Sequence, residues 1–301
     1  LRGSDPTNAN VRDRIRISGT SGTGRLRIEG VTLNSLAAAG EVLLYRVANP
    51  ARVTNHGDLT LNIEEASGWV RVQTTAAKAQ VAVTDSNLTR LEVYAKGPIT
   101  VSNCAVAGQV WLESQPGGGP SDLVFTNNRV TGDSAYLELA GTLLATANRI
   151  TGGGLRLGST THPHVKGALV KGNTIVAGEE FGLQAQYVSP LTLQNNEISG
   201  VAGPGVDIWR MSDMTQPIWL LNNHIHHNQG SGIIVAGFGA PVTVQDNRVH
   251  DNTTAGNGGG LRAWGTDLHV LGNDFRNNTA VQGGGLFYCS ERELNDAAAR
   301  P

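Results

Sequence analysis

The chain has 301 residues and a formal net charge of −2, and 39 of its residues are glycine against only 16% charged. That charge balance gives no electrostatic footprint for nucleic acid or an anionic membrane. No apolar run reaches the ~18 residues needed to cross a bilayer, and no signal peptide is evident. Two cysteines, Cys104 and Cys289, exclude a disulfide scaffold.

Residues 1–10, beginning Leu1-Arg-Gly-Ser-Asp-Pro6, read as a tag or processed end and are set apart from the fold. Arg12 to Arg16 and Arg25 to Glu29 alternate like charged edge strands. No amphipathic helix covers them, which points to a cover removed from that end. Beyond them the chain is short runs of Val, Ile, Leu and Thr broken by Gly, Asn and Pro, the pattern of strand and turn.

A repeat organises these runs. Asn stands two residues before an apolar residue at Asn128, Asn148, Asn173, Asn196, Asn223, Asn247 and Asn273, with spacings of 20, 25, 23, 27, 24 and 26. Weaker echoes fall at Asn34, Asn62, Asn87 and Asn103. A Gly-led alternating strand follows each Asn, as in Gly182-Leu-Gln-Ala, Gly205-Val-Asp-Ile and Gly232-Ile-Ile-Val; another precedes it, as in Leu191-Thr-Leu193. Three short strands per ~24 residues make one coil of a β-solenoid, which buries its inner residues only by stacking on its neighbours. The asparagines are expected at tight corners, in the left-handed conformation, with amides bonded from coil to coil. The expectation is therefore an all-β parallel β-helix of roughly ten coils over residues 11–289. Ser290-Glu-Arg-Glu293 reads as a capping box opening a short C-terminal capping helix within 290–301.

The Asn-x-Ile/Val repeats over residues ~30–290 resemble those of right-handed parallel β-helix proteins of the pectate-lyase-like type. The last coils, Asn247-Arg-Val-His-Asp-Asn252 with Gly258-Gly-Gly-Leu261, and Asp274-Phe-Arg-Asn-Asn-Thr-Ala280 with Gly283-Gly-Gly-Leu286, resemble repeats of bacterial outer-membrane and adhesin proteins. The resemblance implies a right-handed solenoid and is specific for fold rather than activity; polygalacturonase motifs and a dense acidic calcium cluster are absent.

Alternation assigns the outward side chains to two columns. One reads Trp111, Glu138, Arg156, Gln184, Asp207, Ile234, Arg262, Phe287; the other Glu113, Ala140, Gly158, Gln186, Trp209, Ala236, Trp264, Cys289. Tryptophan faces stack on sugar rings, and amides, carboxylates and guanidinium groups bond hydroxyls or carboxylates. The binding candidates are Trp111, Gln184, Gln186, Trp209, Arg210, Arg262 and Trp264. The competing account is that outward Trp and Arg stack between coils to stabilise the sheet.

For catalysis, Glu113 and Glu138 on adjacent coils fall within glycosidase carboxylate spacing, with Glu92 beside them. Asp207 lies roughly 14 Å from Glu138 by coil rise. Arg156, Asp207 and Arg262 offer instead a base and carboxylate partner for a lyase. His224, His226 and His227, with His250 in the column of His226 and Asp251 beside His227, read first as a solvated strand face; stacked imidazoles ~5 Å apart are also able to hold a transition metal. No cofactor and no metal is expected. The leading expectation is an extracellular or cell-surface β-helix that binds polysaccharide or a surface partner without catalysing a reaction. The rivals are a polysaccharide lyase or glycoside hydrolase, and a structural stalk of a larger surface protein.

Overall fold

The computed structural model describes residues 15–16, 25–30, 36–48, 53–76, 79–114, 122–138, 141–158, 166–209, 216–236 and 241–289. The expected capping helix and the N-terminal segment 1–10 lie outside them, as does Arg210. Among the described residues the chain is all-β, a parallel solenoid of about nine turns without a helix. It divides into two compact units, residues 1–144 and 145–301.

In the first unit, alternation carries one side of each strand inward. The register aligns Val42, Leu61, Val81, Ile99 and Leu123 in one column and Leu44, Ile63, Val83, Val101 and Phe125 in the next. All are buried. Each such side chain contributes about 1.5–3 kcal/mol by leaving water, which no single coil secures alone. The early coils are less regular: Leu36–Tyr45 pairs with Val53–Glu64 through a register shift between Ala38 and Gly40.

In the second unit each coil has three strands, for example Leu191–Gln194, Glu197–Ser199 and Val206–Trp209. Each pairs in parallel with its equivalent one coil on, so Ile150, Ile175, Ile198, Ile225 and Val249 form a continuous buried column. The inner positions expected for the Gly-led strand, from Leu155 and Leu157 to Leu261 and Ala263, are likewise buried. Leu286 and Tyr288 are exposed because no further coil follows them among the described residues.

The asparagine ladder is present, but its geometry differs from the expected one. The left-handed residue is the one before each ladder asparagine: Asn127, Ala147, Gly172, Asn195, Asn222, Asp246 and Gly272 have φ between 53° and 65°. The ladder asparagines themselves turn inward, and from Asn128 to Asn247 they are buried. Asn173 shows the pattern. Its Oδ1 accepts from the backbone N–H and side-chain amide of Asn148, and its Nδ2 donates to Ala145 O and Asn196 Oδ1, all at 2.9–3.0 Å. The corner thus divides two jobs between neighbours. A small or polar residue takes the positive φ, and the next side chain satisfies backbone groups that water cannot reach.

That division also corrects the echoes of the first unit. The ladder equivalents there are Ala66, Ser86 and Cys104, each following a left-handed residue, Glu65, Asp85 or Asn103. Asn87 follows the ladder position and Asn103 precedes it. Ser86 Oγ accepts from Ala66 N, and Cys104 N donates to Asn128 Oδ1. Cys104 is a free thiol that burial pushes up to about 11, so it is inert at neutral pH. A second ladder, five residues after the first, went unnoticed in the sequence. Asn228 Nδ2 donates to Asn252 Oδ1 at 2.8 Å, and Asn252 Nδ2 to Asn278 Oδ1 at 3.0 Å. Its signal was the repeated spacing of Asn223 to Asn228, Asn247 to Asn252 and Asn273 to Asn278.

Candidate functional site

The outward columns form within each unit. In the first, Arg71, Glu92, Trp111 and Tyr136 stand in one line, and Gln73, Tyr94, Glu113 and Glu138 in the next. Trp111 therefore faces Tyr136, not Glu138 as the sequence columns had it, and Glu113 faces Glu138 directly rather than from a neighbouring column. The shift is of two residues: Val110 pairs with Ala135 and not with Leu137, so Ala135–Glu138 starts two residues earlier than the sequence columns assumed. Coil rise separates the Glu113 and Glu138 backbones by about 4.8 Å. Glu138 is 6% exposed. Trp111 donates its indole N–H to Glu113 Oε2 at 3.1 Å and stacks on Tyr136 with ring centroids 5.0 Å apart. One face of this indole is thereby taken by the protein. Glu92 is engaged by cations instead, held by Arg90 Nε at 2.6 Å and Arg71 Nε at 3.3 Å.

In the second unit the sequence columns hold. Arg156, Gln184, Asp207, Ile234, Arg262 and Phe287 are aligned, as are Gln186, Trp209, Ala236, Trp264 and Cys289. Gln184 Nε2 donates to Asp207 Oδ2 at 3.1 Å, and the Trp209 indole N–H donates to Asp207 Oδ1. These two bonds fix a polar cluster under an indole that is 55% exposed. Arg156 Nη2 donates to Gln186 Oε1 at 3.1 Å, and the Arg262 guanidinium lies over the Trp264 ring at 4.8 Å. Arg156 and Arg262 each stand two coils from Asp207, separated from it by Gln184 and Ile234, so the expected line of acid and bases exists without ion pairing along it. The Nε atoms of both arginines are buried with no hydrogen-bond partner among the described residues.

Burial raises the Asp207 carboxyl above its ordinary value, outweighing the hydrogen bonds from Gln184 and Trp209 that favour the anion. A carboxyl raised on folding contributes stability at low pH that is lost as pH climbs through its folded value. Asp207→Asn imitates the protonated form. In urea unfolding it is expected to be more stable than the parent at pH 7, with the gap closing as pH falls into the carboxylate range. A parent that is the more stable protein at pH 7 would mean that the bonds from Gln184 and Trp209 outweigh desolvation.

Parallel pairing, three strands per turn and inward asparagines define a β-solenoid protein. The family model for the right-handed β-helix region matches residues 117–280, more than half of the chain, and the chain belongs to that family. No curated protein sequence matches it significantly. Among solved structures it is similar to the A-module of the mannuronan C-5 epimerase AlgE4 of Azotobacter vinelandii. The match has 14% identity and a TM-score of 0.51, covering 89% of this chain and 92% of that one. At that identity the likeness is one of fold.

Proposed function

We propose that the chain is a carbohydrate-related β-helix that binds an extended, carboxylate-bearing polysaccharide along the Gln184–Trp209 columns of residues 145–301. The carrying observation is Trp209. An indole 55% exposed, yet oriented by an N–H bond to a buried carboxylate, is a stacking platform whose rotamer entropy is already spent. Gln184, Gln186, Arg156 and Arg262 supply amides and cations on either side, suited to hydroxyls and carboxylates. The repeat of about 4.8 Å along the columns is of the order of a pyranose repeat, so successive coils are able to meet successive sugars. The fold neighbour is by its name an enzyme of mannuronan, which makes uronate polymers the first ligands to try. Extended glycans are met outside the cell or at its surface, and the proposal carries that location with it.

The test is a glycan panel that includes mannuronan and neutral polysaccharides, read by isothermal titration. Uronate polymers are expected to bind, and Trp209→Ala to weaken binding about 30-fold, the loss of a ~2 kcal/mol aromatic anchor. Equal binding by parent and Trp209→Ala would sink the reading.

One observation favours catalysis as a second reading: Glu113 and Glu138 are direct register partners on adjacent strands, which brings two carboxylate side chains side by side on neighbouring coils, as paired-carboxylate chemistry requires. The same panel, assayed for reducing ends and unsaturated products, decides it. Product that disappears in Glu113→Gln would establish an enzyme.

A further inference from the structure

We propose that His224, His226 and His250 form a binding site for one divalent transition-metal ion of the zinc type, on a stack of strands separate from the Trp209 column. His224 and His226 lie on His224–His226, and His250 lies one coil on, on Arg248–His250, as the direct register partner of His226. One ligand nitrogen from each lies within 4.8 Å of the others, so a single ion has three imidazoles in reach. Parallel stacking brings this about. The rings of His226 and His250 lie 5.1 Å apart with only 8° between their planes, and that of His224 is 4.2 Å from His226.

The surrounding groups prepare these rings as ligands. His250 Nδ1 stands 2.6 Å from Asp251 Oδ2. A carboxylate only accepts, so the proton sits on Nδ1 and Nε2 presents its lone pair, the carboxylate–histidine arrangement that orients metal ligands. His226 Nδ1 is 2.8 Å from His227 Nδ1, which leaves the other nitrogen of His226, Nε2, pointing elsewhere. That Nε2 is buried and has no hydrogen-bond partner among the described residues; the nearest acid is Glu197, with Oε1 3.7 Å away. His224 Nε2 and His250 Nε2 are 2.8 Å apart. Since His250 Nε2 is the acceptor there, His224 donates. An incoming cation replaces that proton, which His224 then carries on Nδ1. Two nitrogens bound to one tetrahedral zinc sit about 3.4 Å apart, so the pair has only to open by a fraction of an ångström.

The charges around the rings are of both signs. Arg248 is the register partner of His224, and Arg276 that of His250, though Arg276 is engaged by Asp274 at 2.9 Å. Glu197 and Asp251 are the acids. Three imidazoles with carboxylates close by suit a borderline-soft divalent ion rather than calcium or magnesium, which take oxygen ligands. His227 and Asp251 occupy the left-handed corner just past each strand, with φ of 55° each, and so hold their side chains beside the trio. A second grouping, His227, His250 and Asp251, shares His250 and cannot use it at the same time as the first.

The experiment uses the untagged full chain, stripped with chelator and titrated with zinc by calorimetry; cobalt(II) supplies an absorption spectrum of the site. The expected result is one ion per chain with micromolar or tighter affinity, tetrahedral cobalt bands, and a thermal midpoint raised by zinc. Asp251→Asn should weaken binding by about 10- to 100-fold, as loss of a carboxylate behind a ligand does, and His224→Ala or His226→Ala by more. His269→Ala, at a histidine outside the cluster, should change nothing. No stoichiometric binding by a parent chain that circular dichroism shows to be folded would overturn the site. So would binding that survives His224→Ala and His226→Ala but is lost in His227→Ala. His224→Asn and His226→Asn, which keep a polar side chain on the strand, repeat the test if the alanine variants do not fold.

Discussion

Replacing Asn196 by alanine is expected to cost the chain about 3–5 kcal/mol of stability, measured by urea unfolding followed by circular dichroism. The side chain removed accepts from Asn173 N and Nδ2 and donates to Val170 O and Asn223 Oδ1, at 2.9–3.0 Å. Asn173 N would be left buried without its partner, and an orphaned buried group costs about 1–3 kcal/mol. Val170 O, Asn173 Nδ2 and Asn223 Oδ1 would each lose one buried bond, while Asn173 Nδ2 keeps Ala145 O and Asn223 Oδ1 keeps the Asn196 backbone N–H. Relaxation of the corner recovers part of that. The control is the neighbouring residue. Asn195 has φ of 54° and is exposed, so Asn195→Gly relieves strain while loosening the unfolded chain, and the two effects leave the change within about 1 kcal/mol. Equal losses at both positions would mean that the corner, and not the ladder, sets the stability.

A comparably large loss is expected for Gly232→Val. A β-carbon on Gly232 would stand 2.5 Å from Val249 Cγ1, 2.8 Å from Gly260 O and 2.9 Å from Asn252 Nδ2. The backbone oxygen is the obstacle, because Ile233 N donates to it at 2.8 Å and the coil cannot withdraw it without breaking the stack. Overpacking at so rigid a contact costs about 3 kcal/mol or more, and valine adds two further methyl groups in the same space. Gly172→Ala separates this cause from backbone strain. Its φ is 65° but nothing lies within 4 Å of the added carbon. Only the left-handed penalty of about 1–2 kcal/mol remains there. Thermal unfolding of the two variants side by side reads the difference. A Gly232→Val protein that melts with Gly172→Ala would show that the coils part more easily than their hydrogen bonds suggest.

These two substitutions mark how far the fold was legible in the chain. The recurring Asn and the Gly-led strand are both local signals, and both survive because each coil repeats one packing problem. The reason for each was less accessible. That the positive φ falls on Asn195 and not on Asn196 follows from which of two adjacent residues turns inward, and nothing in the pair Asn195-Asn196 distinguishes them. Cys104 and Ser86 serve as ladder members without being Asn because their small polar side chains still fit under the corner, so a search for Asn alone passes them over.

The candidate site divides along the same line. In residues 145–301 the alternation predicted the columns through Asp207 and Trp209 correctly, since a glycine stands immediately before each of these outward strands, at Gly182, Gly205, Gly232, Gly260 and Gly285, and marks where it starts. In the first unit it placed Trp111 opposite Glu138, where pairing sets it opposite Tyr136, because no glycine stands immediately before Ala135 to mark where that outward strand starts. The histidines were visible as a group, but their reach toward a common point was not.

The sequence by itself determined that this protein is a parallel solenoid with an inner asparagine ladder, since a period of about 24 residues with Asn and Gly at set places admits few other packings. Only the tertiary structure decided which side chains meet across coils: that Asp207 is buried beneath Trp209, that Glu113 faces Glu138, and that three imidazoles converge. Periodicity is a property of neighbours along the chain, whereas contact between coils depends on loop lengths that the repeat does not control.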